Sequence, residues 1–127
     1  MTDLKLISMA AETQQNSYSP YSNFKVGAAL LLDDDSVYTG VNIENGAYSA
    51  TVCAERTAFF KAVSEGKRNF KKIAIVGGDI TSPCYPCGVC RQVMSEFCGE
   101  DFEILTLKDG EILKTTLGEL LPHAFKL

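Results

Sequence analysis

Apolar residues recur along the chain with two different periods. Leu4, Ile7, Ala10 and Ala11 follow helical spacing behind Thr2, a suitable cap, and the pattern ends before the Ser17-Tyr18-Ser19-Pro20 turn. Val26 to Leu32 is apolar on both alternations, Asp33 to Ser36 turn the chain, and Val37 to Ile43 return it, which predicts a buried strand hairpin. In Thr51 to Glu65, Val52, Ala54, Ala58, Phe59, Phe60, Ala62 and Val63 spread around most of a helical circumference, so this helix is expected to be buried on several sides. Gly66 closes it. Ile73 to Val76 is a short apolar strand stopped by Gly77-Gly78. A further helix is predicted from about Pro86, taken as a first helical residue, through Val89, Val93 and Phe97 to Gly99. Phe102 to Leu107, a turn at Asp109-Gly110 and Ile112 to Thr115 read as a last hairpin, followed by a short segment to Pro122 and an aromatic tail.

The resulting order is helix, strand, strand, helix, strand, helix, strand, strand, short helix. It predicts an α/β fold, a single domain over residues 1–127 with a mixed β-sheet of about five strands and helices on its faces. At 127 residues the chain supports one modest core. Hydrophobic residues at 46% and charged residues at 22% lie near the average for a soluble globular domain, which excludes collagen-like, coiled-coil and disordered readings. No apolar run approaches the roughly 20 residues that cross a bilayer. The start, with Asp3 and no basic lead-in, does not read as a secretory signal, so a cytoplasmic protein without membrane partners is expected. Twelve basic against sixteen acidic residues give a net charge of -4, which disfavours long nucleic acids as partners. The one basic cluster, Lys67, Arg68, Lys71 and Lys72, reads as a solvated helix-to-strand turn.

Chemistry concentrates in two segments, Thr51-Val52-Cys53-Ala54-Glu55-Arg56 and Pro86-Cys87-Gly88-Val89-Cys90-Arg91-Gln92. Cys87 and Cys90, one turn apart, place two sulfurs about 60° apart near the positive end of a helix dipole, an arrangement that lowers thiol pKa and suits a divalent metal. Alone, the pair fits either zinc or a redox couple. Cys53, at the start of another helix, supplies a third thiolate and favours metal. Glu55 falls between Ala62 and Phe59 on a helical wheel, inside an apolar arc. A carboxylate buried there is costly unless it is paired, protonated or beside a cation; a salt bridge to Arg56 or a lysine is the plain alternative to a general acid/base.

Together the Cys-Ala-Glu-Arg and Pro-Cys-x-x-Cys-Arg-Gln segments resemble the cytidine deaminase family in its small homotetrameric form. The zinc deaminases as a class carry His-x-Glu followed by Pro-Cys-x-x-Cys, with the glutamate moving protons. Here Cys53 replaces the histidine, as in the three-cysteine members. Asn23-Phe24-x-Val26-Gly27-Ala28-Ala29, Val41-Asn42-Ile43-Glu44-Asn45 and Leu121-Pro122-x-x-Phe125 also resemble family segments, so the likeness covers nearly the whole chain.

The resemblance implies a three-layer α/β/α fold and one Zn2+ per chain on Cys53, Cys87 and Cys90. It implies hydrolysis of cytidine and 2′-deoxycytidine to uridine and 2′-deoxyuridine with release of ammonia, in pyrimidine salvage. Glu55 then moves protons, and Arg56 donates to the ligand sulfurs to offset their charge. Phe24 looks like the ring beside the nucleoside, Asn42 and Glu44 like the partners of the ribose hydroxyls, and Ala54 like a backbone donor to the base. Tyr48 and Phe125 resemble residues that reach a neighbouring subunit's site, with active sites shared in a homotetramer. On an ideal wheel Cys53 and Glu55 project about 160° apart, a tension that relaxes if Cys53 sits at the helix end. Cys84, between Pro83 and Pro86, is left out of the ligand set although its spacing to Cys87 equals that of Cys90. Cys98 is expected to be a packing residue, and His123 to lie on the surface or at an interface. Two rival readings are a closed structural zinc module, with Cys84, Cys98 or His123 as fourth ligand, and a deaminase of another substrate: a nucleoside-like antibiotic, a guanine-type base or adenosine in RNA.

Overall fold

A computed structural model describes residues 1–127. In chain order the elements are helix α1 (Asp3–Thr13), strands β1 (Val26–Leu32) and β2 (Val37–Val41), helix α2 (Ala54–Ser64), strand β3 (Phe70–Gly77), helix α3 (Gly88–Phe97), strands β4 (Glu103–Lys108) and β5 (Glu111–Thr116), and the short helix α4 (Leu117–Leu120). Single 3-10 turns cover Gln14–Asn16 and Tyr48–Ala50. The five strands form one sheet in the order β2-β1-β3-β4-β5. All neighbours are antiparallel except β3 and β4, which run parallel because α3 crosses over between them.

The continuous apolar run of β1 follows from its central place. Its even-numbered residues Ala28, Leu30 and Leu32 join Ile73, Ile75 and Ile104 beneath α2 and α3, while Ala29 and Leu31 join Ala74, Val76 and Leu105 beneath Leu6, Ile7 and Ala10 of α1. Helices therefore cover both faces, as a strand apolar on both alternations requires. Phe59 anchors the larger core with its ring centroid 4.9 Å from Phe70 and 6.0 Å from Phe102. At the β4–β5 turn Asp109 and Gly110 adopt φ of 51° and 79°, the two positive values of a type I′ hairpin that the Asp-Gly pair predicts.

Several boundaries move. Strand β2 ends at Val41 rather than Ile43, because Ile43 leaves the ladder to bridge Tyr18 and Val52. Helix α2 starts at Ala54 rather than Thr51, with Cys53 as its extended N-cap. Pro86 lies one residue before the α3 N-cap Cys87, so it is buried in the lead-in and is not a first helical residue. Strand β3 begins at Phe70, three residues early, since Phe70 pairs with Leu32 across a register shift. Helix α2 is buried along one stripe only, Ala54, Glu55, Ala58, Phe59 and Ala62, whereas Phe60 is 48% exposed in the single chain. Hence the wide apolar arc is only partly covered by the chain's own sheet.

The seat of α2 depends on Gly40 in β2. A methyl group there would come 2.4 Å from the Ala54 carbonyl oxygen and 2.5 Å from the Ala58 nitrogen, both backbone atoms that cannot rotate away. Gly40→Ala is expected to lift α2 off the sheet and destabilise the protein by about 2 kcal/mol, as overpacking does. Gly99→Ala, where nothing lies within 4 Å of the added carbon, serves as the control and should melt like the parent in a calorimetric scan. Equal melting temperatures for the parent and Gly40→Ala would show that the helix is free to shift.

Candidate metal centre and active site

Two helices deliver the sulfurs. Cys53 is the N-cap of α2, Cys87 the N-cap of α3, and Cys90 lies in the first turn of α3, so all three sit where unpaired backbone N–H groups and the helix dipoles favour negative charge. Their Sγ atoms lie within 4.8 Å of one another, with Cys53 and Cys87 3.8 Å apart. Tetrahedral coordination at a zinc–sulfur distance of about 2.3 Å separates sulfurs by about 3.8 Å, so the cluster fits the ion. No fourth histidine, cysteine or acid joins the group. That count of three protein ligands is the one found in catalytic rather than structural zinc sites, and it removes the closed-module reading.

Cys53 has backbone dihedrals of -78° and 157°, extended rather than helical, so the ideal wheel does not apply to it and the expected tension with Glu55 disappears. A hydrogen bond with Cys90 lowers the Cys53 thiol pKa to about 5 against the cost of burial, with further help from Arg56 and Cys87. Cys90, which donates in that pair and is itself buried, moves upward. Arg56 Nη2 donates to Cys53 Sγ at 3.4 Å, and the hydrogen bonds of Arg56 to Cys53 and Cys90 outweigh its burial and raise its pKa.

Glu55 is 4% exposed and takes part in none of the ion pairs, so the salt-bridge alternative does not hold. Burial pushes its carboxyl up to about 7, opposed by its own backbone N–H and reinforced by the Cys53 thiolate. A carboxyl raised toward neutrality by burial suits repeated transfer in both directions. Ala54, fully buried, presents a first-turn N–H that has no helical acceptor.

The other predicted residues do not converge in one enclosed cavity of the single chain. Phe24, 46% exposed, lines a depression of about 370 Å³ with Gly77, Gly78 and Cys84. Glu44 and Tyr48 line a separate one of about 290 Å³ with Tyr21. Tyr48 and Phe125 are 78% and 62% exposed, and Phe125 lines neither depression. Asn42 is held by the segment before β1: its Oδ1 accepts from Val26 N at 2.9 Å and from Ser17 Oγ, and its Nδ2 donates to Phe24 O at 2.8 Å. Glu44 accepts from the backbone N–H groups of Tyr21 and Ser22 and from the Ser22 hydroxyl, which together lower its pKa. Ser17 and Ser22 were not singled out by sequence, since isolated serines in a polar turn carry no periodic signal.

Cys84 packs beside Gly77 rather than in the sulfur cluster, and burial raises its thiol to about 11. Cys98 is a core residue whose thiol burial raises to about 12, and His123 is exposed. Arg91, quoted in the motif without a role, fastens the metal-bearing helix: its Nε donates to Pro86 O and its Nη1 to Leu120 O, each at 2.7 Å. No helix is long and apolar enough to cross a membrane.

Three cysteines from two helix N-termini, with a buried acid two residues past the first, define on this scaffold the class of zinc-binding deaminases. Residues 1–106 match the family model of the cytidine and deoxycytidylate deaminase zinc-binding region. A cytidine deaminase of Sporosarcina psychrophila is 54% identical over 95% of the chain and 89% of that protein. Among solved structures, a cytidine deaminase from Burkholderia pseudomallei superposes with a TM-score of 0.92 at 45% identity, covering 98% of this chain and all of that one. A blasticidin-S deaminase of Bacillus cereus is 32% identical over 94% of the chain and 89% of its own length. The chain belongs to the cytidine and deoxycytidylate deaminase family and is an enzyme of it, with a cysteine cluster that fits one zinc per chain.

Replacing Cys53, Cys87 or Cys90 with alanine is expected to abolish stoichiometric zinc, while Cys84→Ala and Cys98→Ala retain it. Metal content per chain after gel filtration is the measurement. Full zinc in Cys90→Ala together with none in Cys84→Ala would reverse the assignment.

Proposed function

We propose that the protein hydrolyses the exocyclic amine of free cytidine and 2′-deoxycytidine, giving uridine and 2′-deoxyuridine with one ammonia per water consumed, as a step of pyrimidine salvage in the cytoplasm. Residues 1–127 act as one catalytic domain. The observation that carries this reading is the buried, unpaired Glu55 beside the three-sulfur cluster. Five free cysteines suit a reducing compartment.

Cys53, Cys87 and Cys90 hold zinc, which when bound supplies Lewis-acid activation of a water. Glu55 accepts a proton from the attacking water and donates it to ring N3, and then helps deliver a proton to the departing nitrogen. Its raised pKa lets one carboxyl serve in both directions. Arg56 offsets the excess negative charge of three thiolates around a dication through its hydrogen bonds to sulfur. The Ala54 N–H orients the base, Phe24 walls the ring, and Asn42 and Glu44 face the ribose hydroxyls. Glu44 is ionised at neutral pH and disfavours a nucleotide phosphate in that space.

Tyr48 and Phe125 act on a neighbouring subunit's site in a homotetramer. Support comes from their exposure together with that of Phe60, since large rings left in water forgo burial worth about 1.5 to 3 kcal/mol each. The likeness to a blasticidin-S deaminase favours a second reading, a nucleoside-like antibiotic as substrate. The nearer similarity to proteins named cytidine deaminase, at 54% and 52% identity, supports the nucleoside.

Glu55→Gln preserves shape but not proton transfer, so cytidine turnover followed by ultraviolet absorbance should fall about 100- to 10,000-fold with zinc retained. Near-parental turnover by a zinc-replete Glu55→Gln would remove Glu55 from the reaction, and faster turnover of blasticidin S than of cytidine by the parent would establish the second reading. For the shared site, Phe125→Ala and Glu55→Gln chains are dissociated and reassembled together. Hybrids confirmed by native mass spectrometry should regain activity above the sum of the two variants. No gain in such hybrids would place Phe125 in its own subunit's site or outside the chemistry.

A further inference from the structure

The Phe24 ring rests on an unusual shelf. A methyl group at Gly78 would lie 2.7 Å from Phe24 Cε1, and one at Gly77 would lie 3.1 Å from Phe24 Cε2 and 2.5 Å from Cys84 Sγ. The ring thus lies against bare backbone at the end of β3. Phe24 itself is outside the sheet, one residue after Asn23, whose φ of 57° marks a local reversal. What holds its segment is a pair of carboxamides acting on successive carbonyls: Asn42 Nδ2 takes Phe24 O, and Gln14 Nε2 takes Lys25 O at 2.8 Å.

Gln14 does more than hold one strand lead-in. The same Nε2 donates to Gly78 O at 2.8 Å, so both of its hydrogens are used, one on the segment that carries the ring and one on the shelf beneath it. Gly78 N in turn donates to Lys25 O at 2.9 Å, closing a small ring of hydrogen bonds among the three residues. Gln14 reaches this place because α1 ends hard against β1: a methyl group at Gly27 would fall 2.8 Å from Gln14 N and 2.1 Å from Ala10 O. No other side chain bonds both segments.

We infer that Gln14 is a positioning residue for substrate binding, which clamps the Phe24-bearing segment to the Gly77-Gly78 shelf and so sets the wall against which the pyrimidine lies. This rests on the reading of Phe24 as that wall. Gln14 touches neither the sulfur cluster nor Glu55, so its loss weakens substrate and transition-state binding together. The kinetic signature of uniform binding is a raised KM at constant kcat.

The test is a double-mutant cycle on the zinc-replete enzyme, using Gln14→Met, of similar length without donors, Phe24→Ala, and the pair. Gln14→Met should raise KM for cytidine about 5- to 20-fold with kcat within about twofold, the loss expected of a positioning hydrogen-bond pair. The double variant should be no worse than Phe24→Ala by more than about twofold. Gln14→Lys, which restores a donor, should bring KM most of the way back to the parental value and covers the case in which Gln14→Met folds poorly. A raised KM in Phe24→Ala with an unchanged KM in Gln14→Met, with fully multiplicative effects, or with kcat lost and KM held, overturns the role of Gln14 and leaves that of Phe24 standing. An unchanged KM in Phe24→Ala overturns the reading of Phe24 and the clamp with it.

Discussion

Bringing three sulfurs within 4.8 Å of one another concentrates negative charge that needs compensation once they act as thiolates, and the surrounding architecture supplies it in two forms. Two helices begin at the cluster, so their unpaired N–H groups point toward it. Arg56 sends a guanidinium nitrogen to Cys53. Arg91 ties the start of α3 to Pro86 and Leu120, fixing the helix whose first turn carries two of the sulfurs. Remove the convergence of the two helix starts and none of the other contacts has a purpose.

That convergence has its own cause in the sheet. Helix α2 can approach β2 only because Gly40 has no side chain, and α1 can approach β1 only because Gly27 has none. On one side this sets the height of Cys53 and Glu55, on the other the reach of Gln14. Glu55 then sits in the apolar stripe of α2 with Ala58, Phe59 and Ala62, and burial there raises its carboxyl above the ordinary carboxylate range. The same packing that stabilises the helix tunes its acid.

Much of this was legible in the sequence because its signals are periodic or tightly spaced. The double alternation of β1 announced helices on both faces, the Asp-Gly pair announced its hairpin turn, and Cys53, Glu55, Cys87 and Cys90 stood out against the periodicity of their helices. Less legible were contacts made across long stretches of chain by ordinary polar residues. Gln14 lies 64 residues from Gly78, and Glu44 is held by Ser22 and Tyr21 in a turn without pattern. Pro86 reads as a first helical residue in the sequence but lies just before the N-cap Cys87, because a proline before an N-cap and one at a first helical position look alike until the cap is seen. The exposure of Phe60 was hidden for a different reason: a helical wheel counts apolar positions and not the surfaces available to cover them.

Helix α1 lies on the face of the sheet opposite α2 and α3, yet Gln14, the residue that caps its C-terminus, reaches Gly78 just past the end of β3. The sulfur cluster and the Gln14 bonds that hold the Phe24 segment therefore draw on helices of opposite layers, with the strands between them. Substitutions on the α1 side can shift the Phe24 segment without touching any of the three sulfurs. A scaffold divided in this way can vary around an exposed aromatic ring while its metal ligands are inherited intact.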